Sequence, residues 1–152
     1  MKRIYTFGHE QVERNITVGD IIQNKNNNKK MTQVTAANQE EAEIIAKENI
    51  DMIITGSDWY EDVRKGAPNT FITAALFAGR FITNEEILRG AFEVMMAGAD
   101  SVLTPRSFDV VEMLAKEGMQ VQGHVGMVPS MATKYGGISC LLYTSDAADD
   151  KQ

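Results

Sequence analysis

The sequence has a single cysteine, Cys140, among its 152 residues, which excludes a disulfide framework and a cysteine-based metal cluster. It also has no run approaching the roughly 18 apolar residues of a membrane span. Lys2 and Arg3 are not followed by an apolar segment, so we expect no signal peptide. A net charge of −6 is typical of neither nucleic-acid-binding nor membrane-surface proteins. These absences predict a soluble cytoplasmic protein that contacts neither membranes nor nucleic acid.

From Thr32 onward, short apolar segments alternate with helical ones. The predicted strands cover residues 32–36, 52–55, 70–74, 101–104 and 119–123. Between them, two capping boxes mark helix starts, Asn38 with Glu41 and Thr83 with Glu86. A third box, Asp58 with Glu61, indicates a short helix after the second of these strands, and Ser107 is the predicted cap of the last helix.

This alternation predicts an α/β fold with a parallel sheet and right-handed crossovers. Three of the four steps between these strands are about 19 residues long, close to the shortest unit that can cross over, which favours a barrel over an open doubly wound sheet. A complete eight-stranded barrel needs roughly 250 residues. We therefore expect residues 1–139 to form the front of an incomplete (β/α)8 TIM barrel, with about five strands. Residues 140–152 are small, acidic and unpatterned, and we interpret them as a disordered tail foreign to the fold.

The chemistry of such a fold lies at the carboxyl ends of its strands. His124 occupies that position after the last predicted strand, before the chain turns through Gly126 and Pro129. Two interpretations stay open: a histidine that orients a substrate carboxylate or carbonyl, and an ordinary core histidine. Asp58, with Glu61, is a candidate cap of the short helix that follows the second strand.

Several motifs resemble those of one family. They are residues 63–69 (VRKGAPN), 92–100 (FEVMMAGAD) and 123–129 (GHVGMVP), with weaker matches at 34–36, 54–58 and 136–137. In these segments the chain resembles the ketopantoate hydroxymethyltransferase family, which are TIM barrels of the phosphoenolpyruvate/pyruvate type. The resemblance implies transfer of a hydroxymethyl group from methylenetetrahydrofolate to 3-methyl-2-oxobutanoate in pantothenate biosynthesis. It also implies a Mg²⁺ ion that holds the 2-oxo acid, and a homo-oligomeric parent protein.

The charged machinery of that family is largely replaced here. The family's first metal carboxylate stands in G-D-S, whereas this chain has Gly56-Ser57-Asp58, with the acid one place later. Where the family has its second metal Asp, its oxo-acid-binding Lys and a nearby Glu, this chain has Ala75, Leu103 and Pro105.

The remaining candidates are Asp58 for the metal and four substrate-binding residues, which are Ser57, His124, Arg80 and Arg106. Either arginine is otherwise a solvated loop residue, but together they are candidates to grip a substrate carboxylate in place of the lost lysine. The family's catalytic base is expected in a second half that this sequence does not contain.

Three hypotheses follow. The first is a divergent hydroxymethyltransferase-like protein that is inactive as this piece alone. The second is a non-catalytic barrel homologue, which predicts apolar residues filling the rim at Ala75, Leu103 and Pro105. The third is an enzyme that acts on another small carboxylate with the same scaffold, because one fold supports many reactions.

Overall fold

The protein, seen in a computed structural model, is described here for residues 1–126 and 128–137. Its strands are β1 (Lys2–Tyr5), β2 (Gln11–Arg14), β3 (Gln33–Thr35), β4 (Met52–Gly56), β5 (Phe71–Ala75), β6 (Ser101–Thr104) and β7 (Val121–Gly123). Its α-helices are α1 (Val18–Asn26), α2 (Gln39–Lys47), α3 (Tyr60–Gly66), α4 (Asn84–Met96) and α5 (Phe108–Lys116), and a 3₁₀ helix covers Pro129–Tyr135. The predicted tail, residues 140–152, lies outside the described residues.

Strands β3 to β7 form a parallel sheet in which the spatial order is the sequence order, β3-β4-β5-β6-β7. This order confirms the predicted fold class, because an open doubly wound sheet reverses direction at a switch point and a barrel does not. In a right-handed series without reversal, all helices lie on one face of the sheet. The sheet is therefore an arc of a β/α barrel with a concave inner face.

The pleat divides each strand between these two faces. Ile53, Ile72, Ala74 and Val102 are fully buried and belong to the core that the helices cover. Alternate positions line cavities on the inner face, such as Ile54 and Leu103 near the carboxyl ends of the strands. Lower in the sheet, the hydroxyls of Thr73 and Ser101 lie 2.7 Å apart on this inner face. The inner face therefore combines apolar side chains with a few hydroxyl groups and, in and just before β7, the side chains of Gln120 and Gln122.

An antiparallel hairpin of β1 and β2 precedes this sheet, with Lys2 opposite Arg14 and Tyr5 opposite Gln11. The sequence pattern did not indicate it, because β2 is mostly polar. Helix α1 follows with Thr17 as its cap and a complete capping box with Asp20. The Asp20 carboxylate accepts hydrogen bonds from Lys2 of the hairpin and from Thr17, and it therefore joins the hairpin to this helix. The same hydrogen bonds lower the pKa of Asp20 to about 2.

The three predicted capping boxes have three different outcomes. The Thr83–Glu86 box is confirmed in full: each backbone N–H donates to the side chain of the other residue, at 3.1 Å and 2.7 Å. Asn38 caps α2, but the Glu41 carboxylate accepts from the Ala37 N–H, one residue before the cap.

The Asp58–Glu61 box is wrong. Helix α3 begins one residue later than that box requires, with Trp59 at the N-cap and no side-chain cap bond. Ser107 does occupy the N-cap of α5, but its hydroxyl makes no cap hydrogen bond.

A buried cluster of charges at the amino-terminal end of the sheet joins the hairpin to the barrel. The side chains of Arg14 and Asp100 are 3% and 5% exposed, and Arg14 Nε lies 2.7 Å from Asp100 Oδ1. Arg64 Nη2 lies 2.7 Å from Asp100 Oδ2, which also accepts the Ile72 N–H at 2.9 Å. Arg64 Nε donates to the Tyr60 hydroxyl at 3.0 Å. Burial raises the pKa of Tyr60, which keeps this phenol neutral.

In the described part of the chain, no helix has the length and apolar character needed to cross a bilayer.

We predict that Asp100→Asn destabilises the protein by about 3–5 kcal/mol, because it leaves the buried guanidinium of Arg14 and the partly buried one of Arg64 without their counter-charge. Chemical denaturation followed by circular dichroism measures the change. Glu85→Gln is the control, since it removes one partner of an exposed Arg89–Glu85 pair and should cost less than about 1 kcal/mol. Equal effects of the two substitutions would contradict a structural role for the cluster.

Candidate functional site

The carboxyl ends of the five parallel strands meet at one edge of the sheet. Ala36, Thr55, Ala74, Thr104 and His124 lie at or just past the carboxyl ends of β3 to β7, respectively. Backbone hydrogen bonds hold this order: the Ala36 N–H donates to Ile54 O and the His124 N–H to Thr104 O, each at 3.1 Å. The parallel ladder therefore continues to the rim and fixes the place of His124.

A cavity of about 460 Å³ opens at this rim, and we call it the rim cavity. Its walls come from the ends of the five parallel strands and the loops that follow them. They are formed by Thr35, Ile54, Thr55, Gly56, Trp59, Ala75, Phe77, Leu103, Gln122, Gly123, His124 and Val125.

One row of paired residues crosses the floor of the rim cavity from β4 to β7. Gly56 pairs with Ala75, Ala75 with Leu103, and Leu103 with Gln122. The first three positions present no polar side-chain group, whereas Gln122 presents an amide. The cavity is therefore apolar on the β4–β6 side and polar on the β7 side.

His124 adds to the polar side. Its side chain is exposed at the rim and borders both the rim cavity and a smaller cavity of about 270 Å³ that also touches Arg106 and Gly126. An exposed imidazole at a strand's carboxyl end excludes the alternative of a buried core histidine. With the Gln122 amide, it supplies hydrogen-bonding groups on one wall of the cavity.

Asp58 and Arg80 form an ion pair across the loops that follow β4 and β5, with both side chains 56% exposed. The Arg80 guanidinium also lies 5.5 Å from the ring centroid of Phe81. Ser57 stands next to the pair, and its N–H donates to Ala75 O at 3.1 Å. None of Ser57, Asp58 and Arg80 is among the described residues that line the rim cavity.

The guanidinium group of Arg106 is hydrogen-bonded to Phe81 and Asn84. Its Nη1 donates to Phe81 O at 3.3 Å, and its Nη2 to Asn84 Oδ1 at 3.1 Å. Arg80 and Arg106 thus each have partners in the protein, and the two sets of partners are different. The structure brings Arg106 to His124 through the smaller cavity and brings Arg80 to Asp58, but it does not place the two guanidinium groups on one wall of the rim cavity.

The donor set of the rim does not fit a magnesium ion. Mg²⁺ takes oxygen ligands, chiefly carboxylates and water. The described lining of the rim cavity contains no carboxylate. Asp58 is engaged by Arg80. Among the described residues, no three His, Cys, Asp or Glu side chains are grouped as metal ligands.

Three residues of the rim cavity were not predicted: Trp59, Phe77 and Gln122. Trp59 is the N-cap of α3, Phe77 lies in the loop after β5, and Gln122 lies in β7 two residues before His124. A side chain built on Gly56 would have its Cβ 3.0 Å from Phe77 Cε2 and 3.2 Å from Trp59 Cε3, so both rings pack over this glycine. The sequence signal that could have identified this wall was the presence of two aromatic residues two or three positions past the ends of neighbouring strands.

Comparison with known proteins finds one family. A profile described as ketopantoate hydroxymethyltransferase matches residues 57–150. The 3-methyl-2-oxobutanoate hydroxymethyltransferase of Deinococcus radiodurans is 40% identical over 92 residues, which cover 57% of this chain and 32% of that protein. Proteins of the same name from Ignicoccus hospitalis and Marinomonas sp. are 26% and 31% identical, over 82% and 70% of this chain and 57% and 44% of their own lengths. The chain thus spans about a third to just over half of these curated relatives.

We predict that the Asp58–Arg80 pair contributes little to stability. A double-mutant cycle with Asp58→Asn and Arg80→Gln should give a coupling of about 0.2–1 kcal/mol, because both side chains are half exposed to water. The coupling should shrink further in about 1 M salt, where screening is strong. A coupling that exceeds this range and resists salt would show that the pair is shielded from solvent.

Proposed function

Because the chain belongs to the ketopantoate hydroxymethyltransferase family, whose profile matches more than half of it, we propose that its sheet forms part of the substrate-binding rim of a 2-oxo acid hydroxymethyltransferase. The proposed reaction is the one for which its relatives are named, hydroxymethyl transfer to 3-methyl-2-oxobutanoate. The observation that carries this proposal is the rim cavity at the carboxyl ends of β4 to β7, where barrels of this kind bind their ligands.

The polarity of the rim cavity suggests how the acid is oriented. The apolar part of a 2-oxo acid lies against Ala75 and Leu103, whose burial removes hydrocarbon surface from water. Its oxo and carboxylate oxygens face Gln122 and His124, which donate hydrogen bonds to them. This arrangement aligns the acid across the row of paired residues, with its charged end toward β7.

A magnesium ion and methylenetetrahydrofolate are carried over from the family as further parts of the proposal, and a homo-oligomer as its assembly. Asp58 is retained as the candidate metal ligand and Ser57 as a candidate for binding the acid. The described rim lacks the oxygen ligands that the ion requires, so the binding mode above uses no metal. Because its lining offers neither a carboxylate nor a lysine, we expect this piece to bind the acid without converting it.

A second candidate function is a binding or assembly role without catalysis. It is favoured by the apolar side chains at Ala75, Leu103 and Pro105, where the family carries charged groups. Ala75 is 4% exposed and borders the rim cavity with Leu103. The two candidates differ in turnover: the second predicts that a complete protein with this rim hydroxymethylates no 2-oxo acid.

We predict that 3-methyl-2-oxobutanoate binds to this protein and that His124→Ala weakens binding about tenfold, the value of one hydrogen bond to a charged group. Calorimetric titration with and without Mg²⁺ measures this. The control is His9→Asn, at the other histidine, which has a φ of 64° that asparagine tolerates. Absence of binding under both conditions would refute the proposed function, and equal effects of the two variants would refute the role of His124.

A further inference from the structure

Two aromatic rings form one wall of the rim cavity. Trp59 and Phe77 are 46% and 52% exposed, and both border the cavity. They come from different loops, Trp59 from the start of α3 and Phe77 from the segment after β5. Because Gly56 between them has no side chain, both rings pack against the end of β4 and leave part of their surface open to the cavity.

Backbone hydrogen bonds fix the main chain of the two ring-bearing loops before any ligand arrives. The Trp59 N–H donates to Gly56 O at 3.0 Å, and Trp59 O accepts the Val63 N–H at 3.0 Å. Phe77 O accepts the N–H groups of Arg80 and Phe81, at 3.0 Å and 3.3 Å. The ion pair of Asp58 with Arg80 then ties the two ring-bearing loops together. Loops fixed in this way lose little backbone entropy when a ligand packs against their rings.

The remaining walls set the direction of a ligand. The aromatic wall stands at the β4–β5 side, and the hydrogen-bonding groups of Gln122 and His124 stand at the β7 side. A ligand that contacts both the aromatic wall and these hydrogen-bonding groups is planar and apolar at one end and carries anionic oxygens at the other. The cavity volume of about 460 Å³ lies within the usual range of small-molecule sites.

We infer that the rim cavity prefers a 2-oxo acid with a planar aromatic group over one with a short branched chain. This inference rests on the proposed function and specifies its substrate class. A ring offers a flat face to Trp59 and Phe77, and aromatic pairs are favoured beyond the area that they bury. A branched aliphatic group contacts the same wall through fewer atoms.

The experiment compares two acids on the same protein. The chain has one tryptophan, so a ¹H–¹⁵N spectrum has one indole signal, and that signal reports from the rim cavity. Phenylpyruvate and 3-methyl-2-oxobutanoate are titrated in turn. We expect phenylpyruvate to bind about 3- to 10-fold more tightly, the value of one aromatic pair, and to shift the indole signal.

Two variants separate the rings from general apolar packing. Phe77→Leu keeps an apolar side chain and should bring the two affinities to within about twofold of each other. Tyr5→Leu is the matched control, because Tyr5 is a 70% exposed aromatic residue on the hairpin, outside the lining of the rim cavity; it should leave the ratio unchanged. Trp59→Leu, followed by calorimetry, gives a second loss of preference that does not depend on Phe77.

The outcomes are distinct. Equal or tighter binding of 3-methyl-2-oxobutanoate overturns the inference and leaves the proposed function standing. A preference for phenylpyruvate that survives both Phe77→Leu and Trp59→Leu also overturns the inference, since the rings would not be its cause. If neither acid binds, the proposed function fails, and the inference fails with it.

Discussion

The fold depends on the carboxylate of Asp100, which a buried guanidinium group, a partly buried one and a backbone N–H share. Arg14 reaches it from the hairpin and Arg64 from α3, while Asp100 itself immediately precedes β6. Three segments far apart in sequence are thus joined at one point, opposite to the rim. Buried charges are tolerated only when their partners satisfy them, so this end of the sheet permits few substitutions.

The rim permits more substitutions than this end, because the two ends of the sheet have different roles. In parallel β/α folds, the ends of the strands and the loops beyond them carry the chemistry, while the opposite end serves stability. Here the five parallel strands keep the sequential order of a β/α barrel. The family resemblance implies an acid and a lysine where this chain has Ala75 and Leu103. A sheet can keep its geometry through such changes because these side chains point into a cavity and not into the helix-covered core.

Much of this architecture was predictable from local sequence. Strand β6 matched its prediction at both ends, and the Thr83–Glu86 box identified the start of α4, because such signals act within a few residues. The family resemblance was confirmed, as was the gathering of the strand ends around His124. The hairpin escaped prediction, because its second strand is stabilised by pairing and by the distant Asp100. The partner of Asp58 escaped for the same reason, since Arg80 lies on another loop.

The packing of two rings over Gly56 also constrains how this rim can evolve. A Cβ at position 56 would stand 3.0 Å from Phe77 and 3.2 Å from Trp59, so a larger residue there requires both rings to shift by a few tenths of an ångström. A lineage with glycine at this position can gain both rings in their present places, whereas one with a larger residue there must move them. The order of substitutions, and not only their sum, therefore decides which ligands descendants of such a barrel can come to recognise.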